Sequence, residues 1–300
     1  MKTQKPKLAV FPKGFMDDIV SGDMSLLDWI ELAGTLNVDG LELYPMFLSS
    51  NEESYLQIVK KKAEQNNLKI PMMCTSPDFT HPDSRFRESE INKMKSMIDV
   101  MSFLGPAEFR SCRILSGQNR PELNQEEGVL WAVECIKELL PYAEEKKVHL
   151  VIENHYKDGY WDYPEFAQDK RTFIEIIKQI YSPYFGVNFD PSNALIAGED
   201  PIDFLKEIND KVLTLHASDR YLIEGYTLDD LKNEQKYRGY SEALAHGVIG
   251  QGLNNYDRIF SILQKNKFLN WISIEDGVNG MKDLEKSVAF LNEKMKEYFK

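Results

Sequence analysis

Four apolar segments in the second half of the chain end in side chains that can bind a metal ion: VHLVIENH (148–155), FGVNFDPSN (185–193), VLTLHASD (212–219) and NWISIEDG (270–277). Aligned where the apolar run gives way to polar loop, Glu153, Asp190, His216 and Glu275 occupy the same place. Three carboxylates and one imidazole, each carried by a different strand, would make one site for a divalent cation. An oxygen-rich set with a single imidazole suits Mn²⁺, Mg²⁺ or Co²⁺ and also admits Zn²⁺. The competing reading, four unrelated polar residues at strand ends, leaves their common register unexplained.

The flanking residues give these strands two different faces, because a strand sends alternate side chains to opposite sides. On the candidates' side, two residues back, stand Val151, Asn188, Thr214 and Ser273. The other side carries Leu150 and Ile152, Val187 and Phe189, Leu213 and Leu215, Ile272 and Ile274. Parallel strands covered by helices would turn the large aliphatic face outward and the smaller, polar face toward a barrel axis.

The elements that would hold the strands in place recur along the whole chain. Short apolar runs at 8–11, 40–44, 70–74, 109–115, 150–153, 186–190, 213–216 and 272–275 alternate with amphipathic stretches near 24–35, 53–66, 86–104, 124–146, 170–180, 201–208, 254–267 and 281–298. Eight strand–helix units in strict alternation predict an α/β fold, a single-domain (β/α)₈ barrel over residues 1–300. An open doubly wound sheet would usually carry a glycine-rich nucleotide turn after its first strand, and this chain has none. Ser25 and the pair Asp200-Pro201 predict helix starts. The fourth unit, with Phe109-Arg110-Ser111-Cys112-Arg113, lacks clean alternation. A long insertion after strand 7, Tyr221 to Gly252, is placed at the mouth of the site, since long loops on compact domains usually serve function.

Composition narrows the partners. With 36 basic against 48 acidic residues the net charge is −12, which argues against nucleic acid and against an anionic membrane. The apolar run in MKTQKPKLAVFPKG is too short for the core of a signal peptide, and no segment has the length to span a bilayer. Three widely spaced cysteines, Cys74, Cys112 and Cys135, form no disulfide framework, so a cytoplasmic location is expected. The expected partner is a small-molecule sugar or sugar-derived substrate, and the composition is compatible with a homo-oligomer.

The segments IENH, NFDPSNAL, LHASD and GVIGQG…WISIED, with DGLELYP at the second strand, resemble the xylose isomerase-like TIM barrel family of sugar phosphate isomerases and epimerases. The resemblance spans essentially the whole chain. It implies that Glu153, Asp190, His216 and Glu275 ligate the metal, the same four residues that the strand ends single out. It further implies proton transfer next to a carbonyl through an enediolate, with Glu153 and Glu275 as the acid–base pair. The expected function is therefore a metal-dependent sugar, sugar-phosphate or sugar-acid isomerase or epimerase. Two alternatives remain: a metal-dependent lyase dehydrating a keto-polyol on the same fold, and a non-catalytic sugar-binding or regulatory barrel.

Departures from the family pattern bear on the reaction. Ketulose 3-epimerases carry an ExxNRxE segment at the fifth strand, whereas this chain reads Glu153-Asn154-His155-Tyr156-Lys157-Asp158-Gly159. The apurinic endonuclease branch needs further histidines and a basic face, against five histidines here and an acidic balance. Six further residues are expected at the substrate. Glu42 has inward parity and resembles the family's second-strand glutamate. His155 faces the same way as Glu153, and Asn193 stands where ketulose 3-epimerases usually place a histidine. Arg220 can hold a phosphate or carboxylate, Trp161 beside Tyr160 can stack on a sugar face, and His246 lies in the insertion. Each also has an ordinary reading as a rim charge, loop anchor or surface group. His81, His149 and the cysteines are expected to be structural.

Overall fold

All four apolar runs are neighbouring members of one parallel sheet in a computed structural model of the chain, which describes residues 5–233 and 239–299. Its strands are β1 (Lys7–Val10), β2 (Gly40–Leu41), β3 (Met72–Cys74), β4 (Ser111–Ile114), β5 (His149–Glu153), β6 (Phe185–Phe189), β7 (Val212–Ala217) and β10 (Trp271–Ile274), while β8 (Arg220–Leu222) and β9 (Leu244–His246) pair apart as a hairpin. The main sheet runs β2-β1-β10-β7-β6-β5-β4-β3. Isolated parallel bridges from Gly40 to Lys69 and from Leu43 to Met73 bring its two edges together. The result is a nearly closed eight-stranded TIM barrel.

Around it lie α1 (Met16–Ser21), α2 (Leu26–Ala33), α3 (Glu53–Gln65), α4 (Ser84–Leu104), α5 (Gln125–Lys146), α6 (Lys170–Lys178), α7 (Pro191–Ile196), α8 (Pro201–Ile208), α9 (Leu228–Asn233), α10 (Tyr256–Lys265) and α11 (Met281–Tyr298). Ser25 closes a capping box with Asp28 at the start of α2, and the Asp200 carboxylate accepts the N–H groups of Ile202 and Asp203 at the start of α8. Three short helices had no separate signal in the sequence: α1 before α2, α7 directly after β6, and α9 within the insertion.

Face parity decides which residues reach the site. Phe189 on β6 meets Phe204 of α8 edge-on at 6.0 Å, and Phe204 meets Phe173 of α6 at 5.6 Å, so the large side chains of that strand lie under the helices. On the inner side, Thr214 of β7 donates to Asn188 of β6 at 2.8 Å. Below that layer Ala9, Phe109 and Trp271 pack together and plug the N-terminal end of the barrel. A plugged floor leaves the C-terminal rim as the open end.

The insertion is more ordered than a plain loop. It contains the β8–β9 hairpin and α9, and residues 234–238 of the Tyr221–Gly252 stretch lie outside the described residues. Asp219 anchors its return limb: Oδ2 accepts the N–H groups of Gly250 and Gly252, and Oδ1 those of Arg220 and Asn254.

Candidate metal centre and active-site cavity

Glu153 is the last residue of β5, Asp190 follows β6, His216 lies on β7 and Glu275 follows β10. Each offers a ligand atom, and these atoms all lie within 4.8 Å of one another. Local structure fixes each one. Asp190 is the N-cap of α7: its Oδ1 accepts the N–H groups of Ser192 at 2.7 Å and Asn193 at 3.0 Å, and the Ser218 hydroxyl at 2.7 Å. Asn193 Nδ2 donates to Glu153 Oε1 at 3.0 Å. His216 Nε2 lies 2.9 Å from Glu42 Oε2, so its Nδ1 faces Glu275 Oε2 at 2.9 Å and Glu153 Oε1 at 3.3 Å.

Crowding of negative charge shows in the titration of these groups. Burial, reinforced by the charges of Glu275 and Glu153, pushes Asp190 up to about 7. Burial opposes the His216 charge, but the carboxylates of Glu153, Glu42 and Glu275 outweigh it and hold the imidazole well above its usual range. Glu275 is held well below the ordinary carboxylate range, because Lys13 and His216 overcome the cost of its burial. Glu153 is lowered against burial by His216 and Arg113, yet its Oε2 has no hydrogen-bond partner. Three buried carboxylates around one imidazole, with one carboxylate oxygen that accepts no hydrogen bond, fit a divalent cation.

A cavity of about 530 Å³ opens beside this centre. Its reactive lining is Glu275, Lys13, Arg113 and His155, and tyrosines 44, 156, 160 and 240 supply much of the rest. Lys13, in the turn after β1, places Nζ 3.0 Å from Glu275 Oε1. Burial opposes the Lys13 charge, but Glu275 more than offsets it, so the ammonium is held on. Arg113 on β4 sets Nε 3.3 Å from Glu153 Oε2, and its Nη1 lacks a partner. Burial drives His155 down to about 4 against the pull of Glu153, which leaves a neutral imidazole at physiological pH, with no hydrogen-bond partner at Nδ1.

The six residues expected at the substrate fall in different places. His155 lines the cavity. Glu42 is fully buried behind His216, and Asn193 is buried against Glu153, so both contact candidate ligand residues. Arg220 is buried and pairs with Asp276 at 3.1 Å; His246 approaches the same carboxylate at 3.2 Å. Trp161 lines a neighbouring groove, and His246 a more open hollow next to Tyr156 and Tyr240.

Sequence reasoning missed Lys13 and Arg113. Arg113 could have been found from parity, since it is two residues from Ser111 on an inward face, and it explains the broken alternation of that strand. Lys13 gave no comparable signal: its partner Glu275 is 262 residues away.

The profile of the xylose isomerase-like TIM barrel family matches residues 30–294. The chain belongs to that family. Among curated members, an inosose dehydratase of Clostridium beijerinckii is 24% identical over 291 residues, covering 92% of this chain and 91% of its own. An inosose dehydratase of Clostridium botulinum is 24% identical over 228 residues, covering 73% of each chain. Among solved structures, a D-tagatose 3-epimerase-like protein superposes with a TM-score of 0.74 at 17% identity, over 97% of this chain and 98% of that one. The IOLI protein with a bound zinc atom gives 0.72 at 16%, over 98% and 99%. At such identities the structural likeness is one of fold. No helix among the described residues is long and apolar enough to cross a membrane.

Proposed function

We propose that this member of the family is a divalent-metal-dependent dehydratase of a cyclic keto-polyol. One observation carries the reading: of the two glutamates that could act as an acid–base pair, Glu275 lines the cavity, whereas Glu153 is sealed behind Asn193, Arg113 and His216. Dehydration needs one base on the carbon next to the carbonyl and one acid at the departing hydroxyl. It does not need two matched carboxylates on opposite substrate faces. The inosose dehydratases among its relatives support the same choice.

Glu153, Asp190, His216 and Glu275 would hold the cation, which when bound supplies Lewis-acid polarisation of substrate oxygens. Zn²⁺ and Mn²⁺ both suit the donor set. The chain's own groups account for the proton transfers. His155, neutral through burial, takes the proton from the carbon next to the carbonyl. The C–H electron pair forms the new carbon–carbon double bond as the neighbouring C–O bond breaks. Lys13, kept protonated by Glu275, gives its proton to the leaving hydroxyl, which departs as water. Arg113 points donors toward the region where negative charge builds up on the substrate.

An isomerase or epimerase reading rests on the placement of Glu153 and Glu275 in one cluster. The two readings differ in what the cavity histidine must do. In dehydration, His155→Asn should cut turnover by about 10²–10⁴-fold while leaving Mn²⁺ affinity within a few fold. Full turnover by His155→Asn, with Glu153→Gln inactive, would instead support the two-glutamate epimerase.

A further inference from the structure

Beyond the wall of the central cavity lies a second space of about 520 Å³. Tyr44, Asp158 and Tyr160 line both, so the two form one elongated depression with a partition between them. The partition is an aromatic pair, Tyr44 and Tyr160, with centroids 6.3 Å apart and planes 13° from parallel. Tyr160 is 56% exposed. Asp158 holds it in place, accepting the Ser76 hydroxyl at 2.5 Å on one oxygen and the Tyr160 N–H at 2.9 Å on the other.

The groove's lining is of two kinds. Met46, Met97 and Trp161 give apolar surface, and Asn51, Ser76 and Glu90 give hydrogen-bonding groups. A sugar ring has the matching character, with apolar C–H faces that lie on aromatic surface and equatorial hydroxyls that need polar partners. An aryl group would match the apolar wall but make no use of the Asn51 amide or of the lone pairs left on Ser76 and Glu90 after their bonds to Asp158, Asp78 and Lys93. Charge disfavours an anionic arm: the single cation of the lining, Lys93, already pairs with Glu90 at 2.6 Å, and Asp158 adds a negative charge at the junction. The central cavity alone already falls in the range of about 300–1,000 Å³ that accommodates a small molecule, so the second space is surplus to one keto ring.

We propose that the substrate carries a second, neutral glycosyl ring, which lies in the groove between Trp161 and Met97 while the keto ring reacts beside Glu275. This rests on the keto-polyol reading of the central cavity and extends it to a two-ring substrate.

The test compares two probes on the Mn²⁺-loaded full-length protein: a keto-disaccharide, and the methyl glycoside of its keto ring alone. The disaccharide should show kcat/KM at least tenfold higher. Trp161→Ala and, separately, Met97→Trp, which fills the groove, should each reduce that ratio to within threefold of one. If neither probe is turned over, calorimetric Kd values for the same pair should show the same tenfold preference and the same collapse. Equal kcat/KM or Kd for both probes, or a ratio that neither substitution changes, would overturn the second-ring proposal. A surviving affinity ratio with no loss of water from either probe would refute the dehydratase reading and leave the groove assignment standing.

Discussion

His216 Nε2 lies 2.9 Å from a carboxylate oxygen of Glu42, and that contact turns the opposite ring nitrogen, Nδ1, toward Glu153 and Glu275. Cys74 Sγ donates to the same Glu42 oxygen at 3.4 Å. A carboxylate accepting from Nε2–H leaves the Nδ1 lone pair for a cation and fixes the ring plane. Glu42 would thereby position His216, one of the four candidate ligands.

Glu42→Gln should keep the barrel folded and weaken Mn²⁺ or Zn²⁺ affinity by about 10–100-fold, the usual effect of losing such an outer contact. Titration calorimetry with the metal alone checks it, with circular dichroism as the control for folding. Unaltered affinity would show that His216 is oriented by its other neighbours.

Lys13 tests the acid side of the reaction. Its Nζ is 3.0 Å from Glu275, so it stands beside the candidate metal centre without being one of the four candidate ligands. Lys13→Met should lower kcat by about 10²–10⁴-fold, with the thermal midpoint nearly unchanged. Steady-state rates of water loss from a cyclic keto-polyol provide the measurement, and a kcat within threefold of the parent would remove Lys13 from the mechanism.

Glu165 sets a pH dependence of stability. It is buried and takes the Ser116 N–H and hydroxyl on Oε1, leaving Oε2 without a partner. Burial pushes it up to about 8, with the Ser116 bonds pulling the other way. An unfolded glutamate titrates near 4.3, so between the two values the folded protein binds a proton that the unfolded chain does not. The stabilisation tied to that proton is complete below the unfolded value and is lost as pH rises through about 8. Glu165→Gln retains the acceptor oxygen and cannot ionise. Its thermal midpoint should therefore fall less than the parent's between roughly pH 5 and pH 9. Scanning calorimetry of both proteins across that range decides it, and parallel curves would contradict the assignment.

Asp219 tests how the insertion is tied down. Its carboxylate accepts four backbone N–H groups, from Arg220, Gly250, Gly252 and Asn254. Asp219→Ala should destabilise the protein by about 1–3 kcal/mol and speed limited proteolysis within 239–254. Unchanged cleavage and an unchanged midpoint would place the anchor elsewhere.

Much of this was legible because β-structure has a period of two. The parity of Asn188 against Val187 and Phe189, or of Ser273 against Ile272 and Ile274, marks an inner and an outer face without any long-range information. The helix caps at Ser25 and Asp200 were equally local. What stayed hidden depends on contacts distant in sequence. Lys13 acquires its role from Glu275 across the closure of the barrel, and Glu42 from His216. Both Arg220 and His246 are drawn to Asp276, a residue that looks like one more loop acid in the sequence. The second strand, read as Gly40–Tyr44, is paired only at Gly40–Leu41; beyond it, Leu43 contributes a single bridge to Met73. The insertion's hairpin and helix have no strong periodicity of their own and depend on the Asp219 anchor.

Dehydration at a metal centre with a single cavity-lining glutamate, Glu275, can be followed by NMR on a cyclic keto-polyol in D₂O with the Mn²⁺-loaded protein. A metal-dependent dehydratase should release one water per substrate, form the unsaturated or tautomerised keto product, and show no reaction after chelation. Recovery of an epimerised or isomerised polyol carrying solvent deuterium, with all its hydroxyls retained, would contradict it.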